Sequence, residues 1–227
     1  MYAFTPAHLL QALLMLLVLV FSLSLHEFGH AWMAKRCGDP TAEMLGRLTI
    51  NPMAHADLLG TIILPSVMLL FPGFGRFLIG WAKPVPVSPA NFKHPRRDDI
   101  LVSLAGPAMN LVLFFIFYWV AYFVDYRGMM PTDSPYAPVF MGFVNYFMTI
   151  NFMLAVFNLL PIAPLDGSWI LKALLPPRLS YKVSQLDRYG MLLVIFLMWT
   201  GLLSTWLTFF WTLQGGVMSL LGLPNLL

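Results

Sequence analysis

Charge is scarce in this chain: Asp, Glu, Lys and Arg make up 10% of its 227 residues, against about 25% in an ordinary soluble domain. Cysteine is almost absent, and the single Cys37 excludes an intrachain disulfide. Repeats and low-complexity segments are missing, as is any polar stretch long enough for a second domain. Residues 1–227 therefore read as one integral membrane unit. No basic region precedes the first apolar run, so that run does not read as a cleaved signal peptide. What the chain has in quantity is apolar surface. It is 59% hydrophobic with a mean hydropathy of +0.76, the composition of a polytopic membrane protein.

Apolar segments fall at about 9–34, 58–80, 100–124, 138–160 and 190–213, followed by a short apolar tail after Gln214-Gly215-Gly216. The expected fold is all-α, a bundle of about five to six transmembrane segments. Basic residues mark the cytoplasmic loops of such a protein. Lys35, Arg36 and Arg47 follow the first segment, and Lys83, Lys93, Arg96 and Arg97 follow the second. Both loops flanking 58–80 are thus basic and share one side, which a simple span cannot satisfy. Pro65 and Pro72-Gly73-Phe74-Gly75 interrupt any helix there, so the segment is expected to be a re-entrant hairpin, with one Pro-kinked span as the alternative. Residues 43–51 carry β character and are expected to form a small membrane-associated β region, either an edge that pairs with an extended peptide or an ordinary interfacial hairpin.

Within the first apolar run stands His26-Glu27-Phe28-Gly29-His30. His-Glu-x-x-His on a helix sets two imidazoles at i and i+4 on one face, where both bind zinc, with the glutamate beside them as a base. Chance alone produces the pattern in about one in a thousand chains of this composition. Ionisable side chains inside a membrane segment are costly and mark function. With Lys35 at the cytoplasmic end, His26 and His30 lie roughly 8–14 Å inside the helix, so the site faces the cytoplasm.

A catalytic zinc takes three protein ligands. Asp39, Glu43, His55, Asp57 and Asp166 are the remaining candidates. Asp166 is preferred, because Pro161 and Pro164 end the fourth segment just before it and that segment descends to the same membrane face as the first. A helix-capping aspartate ahead of Ser168-Trp169-Ile170 is the competing reading. His55 with Asp57 forms a polar pair that either supports a ligand from behind or sits in the headgroup region. His94 with Lys93, Arg96 and Arg97 reads as a loop facing anionic lipid.

His26–His30, Gly106-Pro107-Ala108-Met109-Asn110 and Asn158 through Gly167 together resemble the site-2 protease family of intramembrane zinc metalloproteases. Gly80-Trp81-Ala82-Lys83-Pro84-Val85-Pro86-Val87 and Asn51 to Asp57 resemble a short prokaryotic branch of it, without the PDZ domain or CBS pair of longer members. The resemblance implies His26, His30 and Asp166 as ligands of one Zn2+ per chain, Glu27 as the catalytic base activating a zinc-bound water, and Asn158 near the substrate. Asn158, and less strongly Asn110, are candidates for an amide that stabilises the oxyanion; a helix-to-helix hydrogen bond is the alternative for each.

The expected activity is zinc-dependent endoproteolysis in or near transmembrane segments. The expected partners are transmembrane protein or peptide substrates and the lipid bilayer, with no nucleic acid, and a homo-oligomer is compatible with the sequence. The expected location is a prokaryotic cell (inner) membrane. A zinc transporter or a non-proteolytic metal-binding membrane protein is the other class, disfavoured because no ionisable ligand lies in the outer half of the helices and because binding alone would not require Glu27.

Overall fold

The computed structural model describes residues 5–70, 80–129 and 136–226. Helix α1 spans Pro6–Cys37. Two short helices follow, α2 at Thr41–Met44 and α3 at Pro52–His55, then α4 at Leu58–Leu70, whose first turns are π-helical. Helix α5 covers Pro95–Ala121, α6 Ala137–Asn158, α7 Asp166–Leu174, α8 Pro177–Ser184, α9 Gly190–Thr200 and α10 Leu202–Leu220.

Helix α5 is the centre, packed against α1 on one side, α6 on the other and α7 at its N-terminal end. Small residues allow the α1–α5 approach. A Cβ at Gly29 would meet the Ala105 carbonyl oxygen at 2.7 Å, and Ala31 and Ala34 are fully buried on the same helix. Close backbone approach through small residues is how helices associate where lipid removes the hydrophobic drive. Between α5 and α6 the contact is aromatic, with Phe117 stacked on Phe147 at a centroid distance of 4.0 Å. Large apolar side chains such as Leu10, Leu13, Leu17, Val112, Phe115 and Ile116 point outward. That outer surface suits hydrocarbon rather than water.

Three helices are long and apolar enough to cross a membrane, at Leu9–Cys37, Pro95–Val124 and Ala137–Asn158. Counting the bent pair Pro177–Thr200 and Leu202–Leu220 as one span raises the number to four among the described residues, below the five to six expected. The segment 190–213 is broken because Gly201 takes φ +79 and turns the chain by 76°. A left-handed glycine ends a helix in the usual way, and in the first turn of the next one Ser204 Oγ donates to Gly201 O at 2.6 Å.

Among the described residues, α4 is also too short to span. Its helix Leu58–Leu70 measures about 20 Å at 1.5 Å per residue, while the Pro72–Gly75 part of the expected hairpin lies outside the described residues. The chain has nevertheless come back by Trp81. Trp81 N donates to Gly60 O at 3.1 Å, and Thr61 Oγ1 donates to Trp81 O at 2.7 Å. Both ends of 58–80 therefore lie on one side of the bundle. No strand occurs among the described residues, and the β region expected at 43–51 is instead a helix end and a series of bends. An isolated strand has no ladder to satisfy its backbone; here Arg47 N bonds back to Ala42 O and Asn51 caps Met53 N.

Candidate metal centre

Three helices build the centre. On α1, His26 and His30 are one turn apart, so both rings face α5 with centroids 4.7 Å apart. The receiving stripe on α5 is Val102, Gly106 and Asn110, spaced at i, i+4 and i+8. His30 Nδ1 lies 2.7 Å from Val102 O, and His26 Nδ1 lies 2.7 Å from Asn110 Oδ1. Between them a Cβ on Gly106 would collide with both rings, 2.6 Å from His30 Cε1 and 2.7 Å from His26 Cε1. Glycine at 106 thus makes the room in which the two imidazoles sit. Helix α7 supplies the third group. Asp166 opens it, and its carboxylate turns back to the histidines, with Oδ2 3.1 Å from His26 Nε2 and Oδ1 3.3 Å from His30 Nε2. Gly167 permits this entry, since a Cβ there would overlap the Leu159 and Leu160 carbonyls that close α6.

The tautomers follow from a chain of backbone acceptors. Val102 O can only accept, so His30 Nδ1 donates. Asn151 Nδ2 donates to Phe147 O and to Ser22 Oγ at 2.9 Å each, which aims its oxygen at Asn110 Nδ2, 2.8 Å away. Asn110 Nδ2 also donates to Ser22 O at 3.3 Å. Its oxygen therefore faces His26, whose Nδ1 must donate. Both Nε2 atoms then carry lone pairs, and they point at each other across 3.1 Å beside a carboxylate. Three acceptors converge with no donor among them, and the buried Asp166 Oδ2 has no hydrogen-bond partner.

A cation resolves this arrangement, and the donor set fits zinc. Four-coordinate zinc with bonds of about 2.0–2.1 Å sets its ligand atoms about 3.3 Å apart, and the nearest approaches here are 3.1, 3.1 and 3.3 Å. Hydrogen bonding of each Nδ1–H to an oxygen is the usual support for a metal-bound imidazole.

Glu27, on the same helix, faces a cavity of about 610 Å³ whose wall includes His26, His30, Asp166 and Asn158. Its Oε2 accepts from Val85 N at 2.8 Å. Asn158 Nδ2 spends one hydrogen on Leu154 O at 2.9 Å. Asn110, by contrast, is fully buried with both amide hydrogens and its oxygen engaged. It holds His26 and has no hydrogen left for a substrate oxyanion. His55 donates from Nε2 to Thr49 O at 2.8 Å and faces Arg47 with Nδ1, so it holds its own loop, while neither metal-facing histidine has it as a partner. The other third-ligand candidates go elsewhere: Glu43 pairs with Lys35, Asp57 caps Gly60 N, and Asp39 is buried among Thr41, Ser88 and Asn91. Burial pushes the Asp39 carboxyl up, but the donors from Asn91, Thr41 and Ser88 outweigh it and hold it below the usual carboxylate range.

Sequence reasoning missed Val102 O, Ser22 and Asn151. Only Asn151 carried a usable signal, as an amide in the middle of an apolar helix.

A bilayer-facing bundle with a buried His₂Asp centre and an adjacent glutamate defines a membrane metallopeptidase, and comparison with known proteins agrees. The pattern of peptidase family M50 matches residues 14–128 and 129–202. The chain belongs to that family, the site-2 proteases, and is a zinc-dependent peptidase of the membrane. It is 38% identical over 188 residues to YwhC of Bacillus subtilis, covering 83% of this chain and 81% of that protein. To Rip2 of Mycolicibacterium smegmatis it is 32% identical over 187 residues, covering 82% and 67%. Both relatives are named "putative zinc metalloprotease". The zinc metalloprotease MJ0392 of Methanocaldococcus jannaschii is 25% identical over 192 residues, 83% of this chain and 43% of that protein. No solved structure matches.

Proposed function

We propose that this peptidase is an intramembrane endopeptidase whose residues 1–227 act as a single domain, cutting transmembrane protein or peptide substrates at His26, His30 and Asp166 with Glu27 as the base. The observation that carries the reading is that three metal-ligating groups and Glu27 share one cavity enclosed by apolar, lipid-facing helices.

His26 Nε2, His30 Nε2 and Asp166 would hold the zinc, which would supply a Lewis acid for the peptide carbonyl and for water. Glu27 handles the proton. Its Oε2 is occupied by Val85 N–H, so Oε1 accepts the proton of the attacking water and returns it to the leaving amide nitrogen. Asn158 has one Nδ2 hydrogen spent on its own helix and offers the other to the carbonyl oxygen as it gains charge. Leu23, Leu154 and Phe157 give the same cavity an apolar wall suited to a transmembrane substrate.

The basic ends of α1 (Lys35, Arg36) and α5 (Arg96, Arg97) meet at one end of the bundle, where Lys93 N bonds to Cys37 O at 3.1 Å. Positive charge marks the cytoplasmic side, which supports reading the centre as facing the cytoplasm of a prokaryotic cell membrane and the 58–80 segment as re-entrant from that side.

The test is to purify wild type and Glu27→Gln in detergent, measure zinc, and follow cleavage of a transmembrane peptide. Equal zinc content with cleavage reduced by about 10²–10⁴-fold is expected for loss of a general base. Equal cleavage by both proteins would refute the assignment.

A further inference from the structure

The extended segment Trp81–Ser88 crosses the cavity wall without belonging to any helix, and hydrogen bonds tie it to several separate parts of the fold. Trp81 is bonded at both N and O to Gly60 and Thr61. Lys83 N donates to His55 O at 2.8 Å, and Lys83 O accepts from Arg47 Nη2 at 2.6 Å. At the far end Ser88 N donates to Asp39 Oδ2 at 2.7 Å. Between these ties comes Val85, whose N–H reaches Glu27 Oε2 at 2.8 Å.

The sequence of the segment prepares that single donor. Pro84 and Pro86 have no N–H and a fixed φ, and a residue that precedes proline is restricted to extended conformations. Lys83 and Val85 both precede proline. Val85 N–H is therefore the only amide hydrogen within residues 84–86, and its direction is set by the chain itself.

The groups that hold the segment are costly ones. Asp39 is fully buried and receives hydrogen bonds from Thr41, Ser88 and Asn91. Arg47 is 9% exposed, its Nε is buried without a partner, and no carboxylate pairs with it among the described residues. A buried guanidinium without a counter-ion works against stability. Its hydrogen bond to Lys83 O points to placement of the segment as the benefit. A glutamate on a helix has three free side-chain torsions and would otherwise sweep through the cavity. One fixed hydrogen bond leaves Oε2 anchored and Oε1 directed.

We infer that Pro84–Val85–Pro86 is the positioning element of the general base: Val85 N–H orients the Glu27 carboxylate, and Asp39 anchors the segment that carries it. This rests on the reading of Glu27 as the base. Misplacing a catalytic group by about 1 Å can lower the rate about 100-fold, so loss of this one hydrogen bond is expected to act on turnover alone.

The experiment replaces Val85 by its α-hydroxy analogue in the full-length enzyme, turning the one N–H into an ester oxygen while keeping the side chain. The expected result is a kcat about 10- to 100-fold lower with KM and zinc stoichiometry unchanged. Combined with Glu27→Gln, the ester should cause no further loss, because the group it orients is already gone. Asp39→Asn should lower kcat in the same direction without raising KM. Wild-type kcat in the ester variant, loss of zinc, or an equal loss in the Glu27→Gln background would each overturn the inference. Wild-type cleavage by Glu27→Gln itself would instead overturn the assignment of the base.

Discussion

Replacing Gly106 by alanine adds one methyl group between the two metal-facing imidazoles. The new Cβ would lie 2.6 Å from His30 Cε1 and 2.7 Å from His26 Cε1, where carbon atoms prefer about 3.5–4.0 Å. Each ring must retreat by about 0.8 Å or more. Neither can do so freely, because Val102 O and Asn110 Oδ1 hold their Nδ1 atoms at 2.7 Å from behind. Metal–ligand distances tolerate only about ±0.2 Å. The expected loss is at least about 100-fold in zinc affinity, or about 2.7 kcal/mol. On the fold, the helix preference for alanine over glycine, about 0.8–1.0 kcal/mol, is set against overpacking that costs about 1–3 kcal/mol, so the zinc-free variant should be no more stable than wild type. Zinc titration against a competing chelator reads the first effect, and thermal unfolding of the zinc-free protein reads the second. Zinc bound with wild-type affinity would refute the claim that Gly106 makes the room for the site.

Asn110→Ala removes the acceptor of His26 Nδ1 and leaves Asn151 Oδ1 without its donor; zinc affinity should fall about 10–100-fold, and an unchanged chelator titration would show that His26 keeps its tautomer unaided. Asp39, held below the ordinary carboxylate range in the folded chain, contributes stability that is fully present above its unfolded value of about 3.9 and is lost as pH falls through the lower folded value. Asp39→Asn should therefore destabilise the protein near neutrality and flatten its loss of stability below about pH 4. Unfolding curves across that range check it, and parallel pH profiles for variant and wild type would count against it.

Much of the centre was legible before folding, because its information is local. The i, i+4 spacing of His26 and His30 places them on one helical face whatever surrounds them. Asp166 follows two prolines that end a helix, and that end descends to the same side. Asn110 was less legible. Its two readings, an oxyanion amide and a helix-to-helix hydrogen bond, differ only in which helix its face meets, and pairing of α5 with α1 decides that. The β character of 43–51 misled for a related reason: Leu48, Thr49 and Ile50 suit a strand, but a strand needs a neighbour and none is near. At 190–213 the apolar run concealed Gly201, whose left-handed turn breaks the run into α9 and α10.

The amino-acid order alone determined that the chain lives in a membrane, that a pair of histidines and a glutamate share one helix, and that an aspartate waits at a helix start. Composition and short periodicities are enough for that, since each depends on neighbours within two turns. Tertiary structure decided everything that joins distant residues. Val102, Gly106 and Asn110 receive the histidines from 72 to 84 residues away, and Val85 reaches Glu27 from 58. Those contacts depend on which faces of α1, α5 and the 81–88 segment meet, and small residues and buried hydrogen bonds choose those faces only once the helices are side by side.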